Sequence, residues 1–430
     1  MNVELFLARR IAFGGQNSFS KIIIRIAAAA IVLSVSVMII STALIKGFKE
    51  EISSKVFGFW GHIHIASSGI GSSLLDQPAM ELNDKLIFSI DTLSKAEFYL
   101  NPEELNGLGQ QRYTNGGVKN VQAYALIPGI IQAKEDIEGI ILKGIGQDFD
   151  WDFMGQYLIE GEQMTFEDTV ISNEMIISQQ TAKRLKLGLG DDLIMHFIQR
   201  GEQLRRKFTI SSIYKTGLEE YDRQFAIIDI RQVQQLMNWE KNEVSGLEVF
   251  VDDVRDSEAI AEHLYFEVLP RALYAEPIRQ KIPEIFEWLD LQDTNEGVIL
   301  TLMVIVAIIN MTTSLMILIL ERTNMIGVLK ALGTTNWKIQ KIFLYQAGYI
   351  VLMGLLFGNV LGLGLCWLQD TFEFIKLSEE NYYLAVAPVQ IDWFMVFLIN
   401  IGTLLVTLTF LLLPTLLVAQ VDPVKAIRFK

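Results

Sequence analysis

Hydrophobic positions along this chain gather into four long runs, separated by one large and two small polar segments. Residues 26–45, 297–320, 342–369 and 393–421 contain no Asp, Glu, Lys or Arg, and the shortest of these runs is 20 residues. At about 1.5 Å of rise per helical residue, such a run reaches the roughly 30 Å of a bilayer's hydrocarbon core. The pattern predicts four membrane-spanning helices, at 21–45, 297–320, 342–369 and 393–418, and excludes a purely cytosolic enzyme. The first run is longer than the roughly 7–15 apolar residues of a removable signal segment, so it is expected to stay as a helix. Before it, Val3, Leu5, Phe6, Leu7, Ile11 and Phe13 alternate with Arg9 and Arg10, which suits a helix lying in the membrane interface over residues 1–20.

The large polar block, residues 46–296, is long enough for a domain with its own core. Its start, Lys46 to Glu51, continues the first helix outward and closes near Gly58. Alternating or apolar segments predict strands at 139–143, 169–171, 193–197, 208–214, 225–228 and 247–251. Helical periodicity appears at 178–187, 230–237, 256–264 and 277–289. The mixture predicts an α+β domain, with a hairpin over 193–214 turning at Arg200-Gly201-Glu202. His62 and His64 alternate onto one face of a strand, a spacing that suits a metal, but no third ligand stands nearby in the sequence, and no metal site is assigned.

Charge orients the chain. Its formal net charge of -14 divides unevenly: +3 in residues 1–25, +3 in 321–341, +2 in 419–430 and -4 in 370–392, which leaves -18 on residues 46–296. Lys and Arg in short segments beside the spans mark the cytoplasmic side. Both termini (1–20 and 419–430) and the 321–341 loop are therefore cytoplasmic, whereas 46–296 and the 370–392 loop lie outside. An acidic outer block repels phosphate, so nucleic acid is not a partner. The single cysteine, Cys366, excludes an intramolecular disulfide.

Within the spans, Gly354, Gly358 and Gly362 recur every four residues and share one helical face, where close helix packing is expected. Ala27 to Ala30, Ser34 and Ser36 permit similar packing in the first span. Asn310, Thr312, Thr313 and Ser314 interrupt the second span, while Asn359 and Asn400 sit in the third and fourth. Polar groups at that depth seek partners in a bundle or line a cavity. No Asp, Glu, Lys, Arg or His lies inside a span beyond its ends, which argues against an ion-coupled transporter. Trp337, Trp367 and Trp393 fall at span ends as interfacial anchors.

The chain carries no G-x-x-x-x-G-K-[ST], H-E-x-x-H or G-x-S-x-G, and its four histidines form no readable triad. Chemistry on this chain is not expected; ATP, if it is consumed, is hydrolysed by another subunit. The most specific segment is the inner loop from Glu321 to Gln340. There Met325, Val328, Leu329 and Leu332 are spaced as an apolar helical face, Gly333 is a natural stop, and Thr334 or Thr335 is placed to cap the next helix. Such a helix, held between two spans, can pass force from a docked partner.

These residues resemble the four-span permeases of the MacB/FtsX/LolCE superfamily of ABC transporters. The similar pieces are Glu321-Arg322, Ile326-Gly327-Val328-Leu329-Lys330-Ala331-Leu332-Gly333, Ile342-Phe343-Leu344-Tyr345-Gln346 and Asp422-Pro423-Val424-Lys425-Ala426-Ile427-Arg428. Gly47-Phe48-Lys49-Glu50, the stretch from Ser172 to Gly190-Asp191, and Lys215-Thr216-Gly217 are similar as well. The order of one span, a large domain and three spans covers nearly the whole chain. Within the superfamily the resemblance is strongest to the LolC/LolE membrane subunits of the lipoprotein-releasing system.

The resemblance implies a bacterial inner-membrane protein whose MacB-like core domain, residues 46–296, lies in the periplasm. It implies two permease subunits, identical or paralogous, working with a separate ABC ATPase that carries the ATP and Mg; no cofactor belongs to this chain. The 321–341 loop would be the coupling helix, with Arg322, Asn324, Met325, Ile326, Gly327, Val328, Leu329, Lys330, Leu332 and Gly333 as its ATPase-facing set. Lipoprotein acyl chains would enter a cavity near Ser34, Met38, Asn310 and Thr313. A periplasmic carrier is a further implied partner, although the extended hook that captures it in LolC is absent from the short 193–214 hairpin. An FtsX-like regulator of a cell-envelope hydrolase and a MacB-like exporter of another substrate are the alternative implications.

Overall fold

The computed structural model describes residues 19–67, 78–99, 111–133, 136–167, 169–199 and 201–420. The interfacial segment expected before residue 19, the Asp422 to Arg428 motif and Arg200 lie outside the described residues. The chain divides into two compact units. The membrane unit draws on Met1–Glu51, Glu287–Lys376 and Val386–Lys430, and the head on Ile52–Phe286 and Leu377–Ala385. The principal helices, in chain order, are α1 (Phe19–Trp60), α2 (Gln179–Leu185), α3 (Ile230–Met237), α4 (Ser257–His263), α5 (Pro283–Glu321), α6 (Thr323–Ala331), α7 (Asn336–Phe372) and α8 (Trp393–Phe410). Among the described residues, four spans are long and apolar enough to cross a membrane: Ile24–Trp60, Pro283–Glu321, Asn336–Phe372 and Trp393–Ala419.

In the membrane unit, Ile31, Val35, Met38 and Ile39 of α1 pack in one cluster with Met311 and Leu315 of α5, Phe343 and Val351 of α7, and Ile399 of α8. Lipid offers no hydrophobic drive between helices, so close packing and polar contacts must hold them. Both occur here. A Cβ on Gly354 would lie 2.5 Å from Ile31 Cγ2, and one on Gly358 would lie 2.8 Å from Val35 Cβ. A Cβ on Gly362 would meet Ile39 Cβ and Ser36 Cα, both at 3.2 Å. The glycine row therefore lies against α1, close enough for Ser36 Oγ to donate to the Gly358 carbonyl at 3.0 Å. Between α7 and α8, Asn359 Nδ2 donates to Asn400 Oδ1 at 2.6 Å, and Asn400 Nδ2 returns a bond to Asn359 Oδ1 at 2.9 Å.

The outer end of this unit is tied by charge. Asp392 caps α8 by accepting from the Phe394 and Met395 amides, and it pairs with Lys46 at 2.8 Å. Lys49 reaches Asp293 of α5 at 2.6 Å. Gly47 lets the 388–390 segment press on α1: a Cβ there would sit 2.7 Å from the Pro388 carbonyl oxygen, and the Gln390 amide donates to the Ala43 carbonyl at 3.0 Å.

Among the described residues, the main sheet of the head has ten strands: β1 (Ile63–Ser67), β2 (Val118–Ala133), β3 (Asp136–Ile145), β4 (Leu158–Gly161), β5 (Glu174–Ser178), β6 (Asp192–Gln199), β7 (Glu202–Tyr214), β8 (Phe225–Asp229), β9 (Gly246–Val251) and β10 (Leu273–Pro277). The order β10-β1-β9-β2-β3-β8-β5-β7-β4 runs along it, and β6 pairs with both β7 and β2. Strands β2, β3, β8, β5, β7 and β6 thereby close a ring. Leu193, Met195 and Phe197 of β6 point into the core while Ile194 and Ile198 face outward, as alternation on a strand requires.

Three sequence expectations change. The strand read at 169–171 is an irregular segment, and the strand is instead β5, where Met175, Ile176 and Ile177 are buried on both faces. The backbone near 170 is engaged by side chains: Arg231 donates to the Val170 carbonyl, and the Ser172 amide to Asp229. The long strand β2 is absent from the strands read from the sequence; Gly129 in its middle makes room for Met195 and Phe197. The helix expected over 277–289 divides at Pro283, which opens α5.

Candidate functional site

The inner loop forms α6, flanked by Arg322 at its N-cap position and Leu332 at its C-cap. Its end follows from Gly333. With φ at +86°, Gly333 adopts the left-handed conformation that a side chain disfavours, and two bonds close the turn. The Thr334 amide donates to the Leu329 carbonyl at 3.0 Å and the Gly333 amide to the Lys330 carbonyl at 3.0 Å. This pair is the Schellman arrangement, which satisfies the orphan carbonyls and turns the chain sharply. Thr335 takes the N-cap position of α7 without a side-chain cap bond.

The faces of α6 differ from the sequence expectation. Met325 and Leu329 pack against the membrane-unit core, to which the buried Ile326 belongs, and Gly327 is buried too. Val328 and Leu332, read from spacing as part of the same apolar face, point away: Val328 is 49% exposed and Leu332 is 78% exposed. At 100° per residue, Met325 and Leu329 lie on one side of the helix, whereas Asn324, Val328 and Leu332 form a row four residues apart on another. Asn324 and Ala331 are exposed with that row, and Trp337 at the start of α7 is 55% exposed. The result is a small outward apolar row with an amide at one end.

The helix is braced from behind. Lys330 Nζ donates to the Ala419 carbonyl at 3.2 Å, and at the start of α7 Gln340 Nε2 donates to the Thr415 carbonyl at 3.3 Å. Lys330 also sits in the last turn, where a cation favours the helix dipole. Lys341 covers the Trp337 ring at 5.4 Å from its centroid. An outward row on a helix fixed at both ends can receive a docked surface and pass its displacement to α5 and α7.

The residues proposed near a cargo cavity are divided between interior and surface. Ser34 and Met38 are buried, Asn310 is half-buried, and Thr313 is exposed. Thr313 lies on an outward stripe of α5 with Leu302, Ile305, Ile309, Met316 and Leu320. Among the described residues, no group of three or more His, Cys, Asp or Glu is placed to hold a metal. His62 and His64 serve the backbone instead, accepting from the Val251 amide at 2.9 Å and meeting the Trp60 carbonyl at 2.7 Å. Burial holds both rings neutral. The desolvation of His62, with Lys119 nearby, lowers its pKa to about 4, and His64 is lowered well below its ordinary value.

A membrane bundle with a braced inner helix and a mixed α+β head is the architecture of a membrane subunit that can transmit force. Residues 26–264 match the MacB-like periplasmic core domain, and residues 297–423 match the FtsX-like permease C-terminal domain. The chain belongs to the MacB/FtsX/LolCE superfamily of ABC permeases: it is a multi-pass inner-membrane protein that couples a partner ATPase to its periplasmic domain.

Similar proteins include the lipoprotein-releasing system transmembrane protein LolC of Xylella fastidiosa, 22% identical, with 96% of each chain covered. LolE of Haemophilus influenzae is 21% identical with 99% of each chain covered, and LolC of Neisseria meningitidis is 23% identical with 96% of each covered.

Proposed function

We propose that this chain is the permease subunit of a lipoprotein-releasing ABC transporter, and that α6 is where its ATPase docks. The observation that carries the coupling role is the outward row Asn324, Val328 and Leu332 on a helix closed by a Schellman turn and tied through Lys330 to the Ala419 carbonyl. Arg322, Met325, Ile326, Gly327, Leu329, Lys330 and Gly333 would support that row rather than touch the ATPase. Covering a fully exposed Val or Leu gains about 1.5–3 kcal/mol, so the two apolar side chains together would contribute roughly 2–4 kcal/mol to docking. Lipoprotein as cargo is supported by the end-to-end similarity to LolC and LolE.

In this reading, ATP-driven movement of the docked subunit displaces α6, and α5 and α7 shift with it. Two permease copies would meet along the outward stripe of α5, where Thr313 places a hydroxyl among apolar side chains. Acyl chains would pass between the copies. Leu332→Asp tests the docking: the position is exposed, so the chain should assemble in the membrane normally yet retain the ATPase at least tenfold more weakly on purification. Wild-type retention of the ATPase would overturn the docking assignment. Depletion tests the cargo: lipoproteins accumulating in the inner membrane support it, whereas division or wall defects with normal lipoprotein sorting would favour a regulator of an envelope hydrolase.

A further inference from the structure

Helix α1 runs from Phe19 to Trp60, and its last residues, from Ile52 onward, belong to the head. A helix end leaves orphan carbonyls that normally turn to water. Here protein groups take three of them. Gly61, left-handed at φ +73°, donates its amide to the Phe57 carbonyl at 2.7 Å. Lys143 Nζ donates to the Phe59 carbonyl at 2.6 Å, and its ammonium also lies 4.9 Å from the Phe59 ring centroid and 5.0 Å from that of Trp60. The third carbonyl, that of Trp60, meets His64 Nε2 at 2.7 Å. Lys281 Nζ is 2.9 Å from Nδ1 of the same ring. An ammonium only donates, so Nδ1 accepts and the ring proton resides on Nε2, which donates to Trp60.

Lys143, His64, Glu248 and Gln122 are buried, and Lys281 is half-buried beside them. Lys143 is 2% exposed and pairs at 2.7 Å with Glu248, which is 0% exposed. The other Glu248 oxygen accepts from Gln122 Nε2 at 2.7 Å. Glu248 stands directly opposite His64 on one neighbouring strand and Gln122 on the other. The four side chains therefore come from four successive strands, β1, β9, β2 and β3.

A buried ion pair is a poor device for stability, because desolvation offsets its attraction and apolar replacements often do as well. Its advantage is direction. Apolar packing lets a helix end slip or rotate, whereas bonds to named carbonyls, made without competing water, hold it in one orientation. A cation is also favoured at the negative end of the helix dipole.

We propose that Lys143 and His64, fixed by Glu248, Gln122 and Lys281, form a socket that grips the carbonyl end of α1 and delivers movement of that helix to four strands of the head at once. These are positioning residues, and the role rests on the reading of the chain as a transmitter of ATP-driven movement.

The test uses the full chain with its partner ATPase in nanodiscs. Spin labels on cysteines introduced at Gln203 and Glu373, in a Cys366→Ala background, report the distance between head and membrane unit with and without ATP. The unsubstituted socket should show an ATP-dependent shift. Lys143→Met/Glu248→Gln removes both charges of the ion pair together, so neither partner of the pair is left buried alone; it should fold and hydrolyse ATP at the wild-type rate while losing at least half of the shift. A full shift in that folded variant overturns the socket. Should the variant not fold, His64→Gln, which changes no charge, decides in the same way: a full shift overturns the proposal. An unsubstituted chain that shows ATP hydrolysis and no shift defeats the transmission reading itself, and the socket's role with it.

Discussion

The tightest test of the membrane unit is the addition of a single methyl group at Gly358. Glycine in a helix interior costs about 1 kcal/mol relative to alanine, so Gly→Ala stabilises wherever space allows. At Gly358 it does not. The added Cβ would lie 2.8 Å from Val35 Cβ and 3.0 Å from Val35 Cγ1, and 3.2 Å from the Val32 carbonyl oxygen. A β-branched side chain on a packed helix has little freedom to move aside. Overpacking of this kind costs about 1–3 kcal/mol, which equals or exceeds the propensity gain. Separating the helices would also lengthen the Ser36 bond to the Gly358 carbonyl, now 3.0 Å. Gly364 is the internal control, because a Cβ there meets nothing within 4 Å on the same helix. Gly364→Ala should be neutral or stabilising by up to about 1 kcal/mol. Gly358→Ala should fall roughly 1–3 kcal/mol below it in thermal unfolding of the detergent-solubilised protein. Equal melting of the two variants would refute the claim that this row holds α1 and α7 in contact.

Two further outcomes are expected. Replacing Asn359 or Asn400 singly by Leu strands the other side chain's amide oxygen, while its Nδ2 keeps a bond to its own helix, and should cost about 1 kcal/mol; the double Leu variant should recover part of that, since intramembrane polar contacts average about 0.6 kcal/mol with a maximum near 1.7, and strictly additive losses would show that the pair is not coupled. Acid should loosen the head through His62 and His64, whose folded pKa values lie below the ordinary 6.5, at about 4 for His62. The folded state binds fewer protons than the unfolded chain, so stability is full above pH 6.5 and declines below it by up to about 1.4 kcal/mol per pH unit for each ring, until the folded pKa is reached. Burial raises Asp148 and Asp222 and works in the opposite direction at more acid pH, so the clean measurement is the difference between the wild type and His64→Gln from pH 7 to 5.5. Identical slopes in denaturant unfolding would contradict the role of His64.

The spanning helices were legible because their signal is summed over twenty or more residues and depends on neither neighbours nor register. Helix α3 was legible for a related reason: its residues 230–237 carry a strong one-sided pattern and end at Asn238, which takes the left-handed cap. Strand β2 was not. Buried on both faces from Val121 to Ile127, it lacks alternation, and Pro128 and Gly129 look like punctuation until Met195 and Phe197 are seen filling the space beside them. Strand β5, likewise covered on both sides, was displaced by a few residues in the reading of the sequence for the same physical reason.

At the candidate site, spacing located α6 and its stop, since a Gly after an apolar helix is a local signal. Spacing did not say which apolar side chains face the bundle. Met325, Val328, Leu329 and Leu332 all fit a broad stripe, and only the neighbouring helices divide it into a supported side and an open one. The same limit hid Lys143. A lysine in a strand normally marks the solvent face, and nothing local to residues 139–145 announces that a helix end, two aromatic rings and Glu248 wait on its side of the sheet. Both cases turn on partners distant in sequence. The inner helix is informative for the apolar surface it leaves uncovered, and the head for the charges it buries. A force-transmitting chain needs both: an open surface where a partner can push, and a directional grip where the push must not dissipate.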